Sequence, residues 1–80
     1  MKMYDLVKNR IIELCEIKRM TINKLATEAG LSPSSLKSIL YGRSKNPGIV
    51  TLKIICDGLG ITITEFFDTD EFRNAEQEIQ

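Results

Sequence analysis

Apolar residues recur along this chain at spacings of three and four, the period of an α-helix. Between Thr21 and Tyr41, two such runs meet at a single glycine, Gly30. The first run has Ile22, Leu25, Ala26 and Ala29, and the second has Leu36, Ile39 and Leu40. The pattern therefore predicts two short amphipathic helices joined by a turn, a helix-turn-helix, with the small Ala26 where the helices cross.

The residues at the ends of these two runs support the same boundaries. Thr21 and Ser32 each stand where a helix N-cap offers its side-chain oxygen to the first turn. Pro33 occupies the first position of the second helix, where its missing N–H costs nothing. Gly30 permits the left-handed conformation that ends the first helix, and Gly42 ends the second.

Three further helices are predicted around this pair. The first runs from about Tyr4 to Arg19, the fourth from Ile49 to Leu59, and a fifth opens at the capping box formed by Thr62 and Glu65. In the first helix the predicted buried side is Leu6, Val7, Ile11, Leu14, Cys15 and Ile17, and the polar side is Lys8, Arg10, Glu13, Glu16 and Lys18. The fourth contributes Leu52, Ile55, Cys56 and Leu59 to the core, and the fifth Phe66 and Phe67.

The predicted fold class is all-α, with five helices in one domain over residues 1–68. Gly58 weakens the fourth helix by about 1 kcal/mol relative to alanine, which indicates that a neighbour packs closely there. Residues 69–80 form an acidic tail. It is interpreted either as a frayed end or as a short helix or dimerisation segment that orders against a partner subunit.

Composition narrows the function classes. The chain has 80 residues, no histidine and two cysteines that lie 41 positions apart, so the usual general base and the usual metal-ligand spacings are missing. We therefore expect neither an enzyme nor a metal, cofactor or small-molecule site. No apolar run approaches the ~20 residues of a membrane helix, and the charged start does not match a signal peptide. A cytoplasmic protein with two buried free thiols is expected.

The charge of the chain is unevenly distributed although its net charge is zero. Residues 1–60 carry ten Lys or Arg against five acids, a net of +5, whereas residues 61–80 carry six acids against Arg73, a net of −5. This asymmetry favours a basic working surface over an evenly solvated one.

The order of these features resembles the Cro/C1-type (XRE-like) helix-turn-helix domain of phage repressors and bacterial regulators. The resemblance covers roughly residues 4 to 68. It is carried by Leu25-Ala26, Ala29-Gly30-Leu31-Ser32, Leu36, Ile39, Gly42, Pro47, Thr51-Leu52, Leu59-Gly60 and Phe66-Phe67.

The resemblance implies a transcription regulator, a repressor that binds double-stranded operator DNA as a homodimer. Its second motif helix then lies in the major groove. The positions through which the family reads bases correspond here to Pro33, Ser34, Lys37, Ser38 and Tyr41. The residues expected to bind phosphates are Thr21, Asn23, Lys24, Arg43, Lys45 and Asn46. Dimerisation is expected through the fourth and fifth helices and the tail.

Two departures from the family pattern bear on how bases are read. Many relatives begin the first motif helix with a phosphate-binding glutamine, and this chain has Ile22 there. The second motif helix also lacks Gln, Asn and Arg. Direct recognition of the bases by its side chains is therefore expected to be modest and assisted by water or DNA shape. The alternative function is a protein-docking or antitoxin-like module whose main partner is another protein, with the tail as its contact.

Overall fold

Six helices follow one another in the part of the chain that the computed structural model describes, residues 1–42 and 46–79. They are α1 Met3–Ile17, α2 Ile22–Ala29, α3 Pro33–Tyr41, α4 Ile49–Leu59, α5 Ile63–Phe67 and α6 Asp70–Arg73. Those ranges contain no strand, and the predicted all-α class is confirmed. The first five helices match the predicted ones, and α6 adds one turn in the acidic tail.

The helix-turn-helix is built by the local signals that predicted it. The Thr21 hydroxyl accepts a hydrogen bond from the Lys24 N–H at 3.0 Å, and the Ser32 hydroxyl accepts one from the Ser35 N–H at 3.1 Å. Gly30 has a φ of 69°, in the left-handed region that favours glycine. Because each of these signals acts within a few residues, the boundaries of α2 and α3 could be predicted from the sequence.

The end of α1 differs from the prediction by two residues. Arg19 takes a φ of 53°, so the helix stops at Ile17. The Met20 N–H closes the turn on the Cys15 carbonyl at 2.8 Å. The prediction that Ile17 is buried was wrong, because Ile17 is 65% exposed. It follows Cys15 by two residues, about 200° around a helix, and so points away from the core.

The core lies where α2 crosses α4, the most extensive helix pair of the fold. Leu25 and Ala26 of α2 are fully buried there, as are Ile55 and Cys56 of α4. The predicted close approach at Gly58 is confirmed. A Cβ added to Gly58 would lie 3.0 Å from the backbone nitrogen and 3.1 Å from the Cβ of Ala29.

Both cysteines are free and buried, as predicted. Burial raises the pKa of the Cys15 thiol and of the Cys56 thiol above the ordinary value. A buried thiol held in its protonated form is a poor nucleophile. The two cysteines therefore act as small core residues in this fold.

Arg10 connects α1 to the end of α5. The sequence placed it on the polar side of α1, but its side chain is only 15% exposed. Its Nε donates to the Phe66 carbonyl at 2.8 Å, and its second terminal nitrogen donates to the Glu65 carbonyl at 3.0 Å. A helix leaves its last carbonyls without partners inside the helix, and Arg10 supplies a donor for the one at Phe66. The Glu65 carbonyl accepts from the Asp68 N–H at 3.3 Å as well as from Arg10.

The described part of the tail lies against the start of the same chain. Lys2 Nζ donates to the Gln77 carbonyl at 2.6 Å, and the Met3 N–H donates to a Glu78 carboxylate oxygen at 3.1 Å. Lys2, the N-cap residue of α1, makes no side-chain capping bond. Glu78 therefore stabilises the first turn of α1 from 75 residues away.

Candidate nucleic-acid interface

The orientation of α3 is fixed by its buried side. Leu36 and Leu40 have no exposed surface and Ile39 is 5% exposed, so the opposite face must meet solvent. Ser34, Lys37, Ser38 and Tyr41 lie on that face at spacings of three and four. Together they line a shallow concavity of about 220 Å³. Pro33 is exposed in the first turn of α3.

The four lining side chains differ in what they offer a ligand. Lys37 supplies three N–H donors and, among the described residues, has no carboxylate within 4.0 Å. Ser34 and Ser38 supply hydroxyls that both donate and accept. Tyr41 is 67% exposed, so its ring is not packed against the edge of the domain. The face thus combines one unneutralised charge, two small hydroxyls and one aromatic surface.

Two other serines of this region serve the helix itself. The Ser32 and Ser35 hydroxyl oxygens lie 2.8 Å apart, and Ser32 caps α3 by accepting from the Ser35 N–H. Ser35 is therefore engaged in helix capping, whereas Ser34, its neighbour, faces the concavity.

The residues predicted to bind phosphate are exposed wherever the structure describes them. Thr21, Asn23 and Lys24 form the exposed first turn of α2, and Asn46 is exposed ahead of α4. The Thr21 oxygen already accepts from the Lys24 N–H, which leaves its hydroxyl hydrogen available as a donor. Arg43 and Lys45 lie outside the described residues.

One neighbour of this set was missed by the sequence analysis. Glu28 pairs with Lys24 at 2.9 Å, so the ammonium meets a carboxylate on its own helix. The signal was present in the sequence, because oppositely charged residues four positions apart meet on a helix surface. A phosphate at the start of α2 would compete with Glu28 for Lys24.

A helix-turn-helix whose second helix turns a polar, cationic face to solvent is the architecture of a major-groove DNA-binding domain. The family model for the Cro/C1-type HTH DNA-binding domain matches residues 10–71, and the chain belongs to that family. The resemblance found in the sequence is thereby confirmed. The family is one of DNA-binding regulators rather than of enzymes.

Individual relatives agree with this assignment. The chain is 39% identical over 62 residues to the HTH-type transcriptional regulator SlrR of Bacillus subtilis (strain 168). That match covers 76% of this chain and 41% of the relative, so the chain spans less than half of that regulator's length.

Two solved structures have the same fold. The prophage Lp1 protein 11 superposes with a TM-score of 0.80 at 37% identity, covering 94% of this chain and all of the other. The restriction–modification controller protein C.Esp1396I gives a TM-score of 0.79 at 23% identity, covering 92% of this chain and 95% of the other. At that identity the second likeness shows the fold alone.

Among the described residues, every helix is too short or too polar to span a membrane.

Proposed function

We propose that this chain is a sequence-specific regulator of transcription, a repressor that occupies an operator as a homodimer. The observation that carries the proposal is the exposed face of α3, where Ser34, Lys37, Ser38 and Tyr41 line one concavity. With Pro33 they form the base-reading set. Lys37 donates to the O6 or N7 acceptors of a guanine, and the serine hydroxyls pair with several base edges.

Backbone contacts set the register of the domain on DNA. Thr21, Asn23, Lys24 and Asn46 expose donors that suit phosphate oxygens, and Arg43 and Lys45 belong to the same proposed set. Such contacts hold the protein in place without reading sequence and account for most of the salt dependence of binding. Each phosphate neutralised adds about 0.9 to the slope of log affinity against log salt.

The homodimer follows from the size of the interface. One domain of this size buries too little DNA-facing surface for tight binding, and a symmetric pair doubles it. We place the contact between copies on α4 and α5, with a contribution from the tail. Ile49 and Val50 on α4 are 64% and 69% exposed, and an apolar pair of this kind suits a protein contact. Two-fold symmetry predicts half-sites about 34 Å apart.

The test is binding to the DNA upstream of the chain's own gene, measured at two salt concentrations against random duplex as competitor. The proposal expects preferential binding that weakens steeply with salt, and a footprint with two halves one helical turn apart. A footprint of a single half-site would contradict the homodimer. Absence of any preference over random DNA at low salt would contradict sequence-specific binding.

The same exposed pair, Ile49 and Val50, also favours a second candidate, a module that docks on another protein in the manner of an antitoxin. Substitution of both residues by serine distinguishes the two functions. The docking function predicts that the double variant no longer captures the partner protein and keeps the wild-type affinity for DNA. The homodimer function predicts that the double variant loses affinity for the operator.

A further inference from the structure

The concavity on α3 has a chemical composition that favours one kind of base edge. The concavity is shallow and open to solvent, with a volume of about 220 Å³, so the edge of a base can reach its lining side chains. Among the described residues, its lining contains the Lys37 ammonium, the Ser34 and Ser38 hydroxyls and the Tyr41 ring, with no carboxylate and no side-chain amide.

Lys37 discriminates among the base edges because an ammonium only donates, whereas the Ser34 and Ser38 hydroxyls also accept. Adenine N6 and cytosine N4 are donors, and they are best met by amide or carboxylate oxygens. Guanine and thymine present only acceptors on their own major-groove edges, O6 and N7 for guanine and O4 for thymine, whereas adenine combines its N7 acceptor with the N6 donor. Those acceptors match the Lys37 ammonium, which has no carboxylate partner among the described residues.

Tyr41 offers a second contact, one that suits a thymine next to the base contacted by Lys37. Tyr41 follows Ser34 by seven positions, about two turns, on the same face of α3, and the residue is 67% exposed. Thymine is the base that carries an apolar group, the 5-methyl, into the major groove. An exposed aromatic surface at the edge of a polar concavity is a complementary contact for that methyl group, because covering both removes apolar surface from water.

We propose that Tyr41 is a specificity-determining residue that recognises the 5-methyl group of a thymine next to the guanine contacted by Lys37. The proposal rests on the proposed function, since it assigns a base to one part of the same reading face. The ring makes the contact, and the phenol hydroxyl is not required for it.

The experiment begins with selection of a preferred site from duplexes with a randomised core. Each thymine of the selected duplex is then replaced in turn by deoxyuridine, which removes the methyl group and changes nothing else. One thymine in each half-site should be sensitive, with its replacement weakening binding about fourfold. A fourfold change in affinity corresponds to ~0.8 kcal/mol, the free energy gained by burying one group of about this size.

Two variants assign that sensitivity to the ring. In Tyr41→Ala the ratio between the thymine and deoxyuridine duplexes should fall to about one, whereas in Tyr41→Phe it should stay near four. Circular dichroism melts of both variants establish that they are folded, as the exposure of Tyr41 predicts.

Three results would overturn the inference while leaving specific DNA binding intact. The first is a wild-type protein indifferent to every thymine replacement. The second is a sensitivity that persists in Tyr41→Ala. The third is a ratio that falls to about one in Tyr41→Phe, which would assign the sensitivity to the hydroxyl rather than to the ring. If the wild-type chain selects no site at all, the proposed function fails together with this inference.

Discussion

Replacing Gly58 by alanine tests how closely α2 and α4 pack. Gly58 lies inside α4, where alanine raises helix stability by about 1 kcal/mol. The new Cβ, however, would lie 3.0 Å from the Ala29 nitrogen, 3.1 Å from its Cβ and 3.2 Å from its Cα. Two of these three atoms are backbone, so the strain cannot be relieved by rotating a side chain.

The magnitude follows from two opposing terms. Overpacking a core contact costs about 1–3 kcal/mol, and the propensity gain offsets about 1 kcal/mol of that. We therefore expect Gly58→Ala to lower the free energy of unfolding by about 1 kcal/mol. For a domain of this size the midpoint temperature should fall by about 4–8 °C.

The assay is urea and thermal unfolding followed by circular dichroism, with Gly48→Ala as the matched control. Apart from its two chain neighbours, no described residue has an atom within 4 Å of the position that a Cβ would take at Gly48. Gly48 is the N-cap residue of α4, where alanine is less favourable than glycine, so we expect that variant to lower the free energy of unfolding by about 0.5 kcal/mol without any overpacking. Adding Ala29→Gly to Gly58→Ala should recover only part of the loss, because the Ala29 nitrogen and Cα remain. A Gly58→Ala protein more stable than wild type by about 1 kcal/mol would refute the reasoning.

Two further predictions concern the helix ends. Arg19 has a left-handed φ of 53°, which glycine adopts without a Cβ penalty. Arg19→Gly should therefore raise the free energy of unfolding, measured in urea melts, by about 0.5–1 kcal/mol. An unchanged or lower free energy of unfolding would contradict this. The Thr62 N–H and hydroxyl lower the pKa of the Glu65 carboxyl in the capping box. The ionised carboxylate therefore stabilises the fold above the ordinary carboxyl pKa, and this stabilisation is lost as the pH falls through the pKa in the folded protein. Wild-type stability should therefore decline more between pH 5 and pH 3 than that of Glu65→Gln, and parallel pH profiles would refute the assignment.

The features that could be predicted from the sequence are those set by nearby residues. Thr21, Ser32 and Gly30 act within one turn of the helix ends they define, and the apolar spacing in α3 determines which of its faces is exposed. The chemistry of the exposed face of α3 could be predicted for the same reason, because burial of Leu36 and Leu40 leaves Lys37 outside.

The features that could not be predicted depend on residues far apart in the chain. Arg10 donates to carbonyls at the end of α5, and Glu78 accepts from the first turn of α1. No local pattern relates residues 56 or 75 positions apart. The left-handed Arg19 is a different case, since a glycine would have marked the end of α1 and an arginine does not.

The most direct test of base reading by α3 compares Lys37→Ala with Lys8→Ala. Each variant removes one positive charge, but Lys8 lies on α1, 3.8 Å from Asp5, and lies outside the α3 concavity. The measurement is affinity for the preferred duplex and for every single-base variant of it. Base reading by α3 predicts that Lys37→Ala loses the preference at one position of each half-site, whereas Lys8→Ala keeps the wild-type profile. Identical profiles for Lys37→Ala and the wild type would contradict the assignment of the reading face.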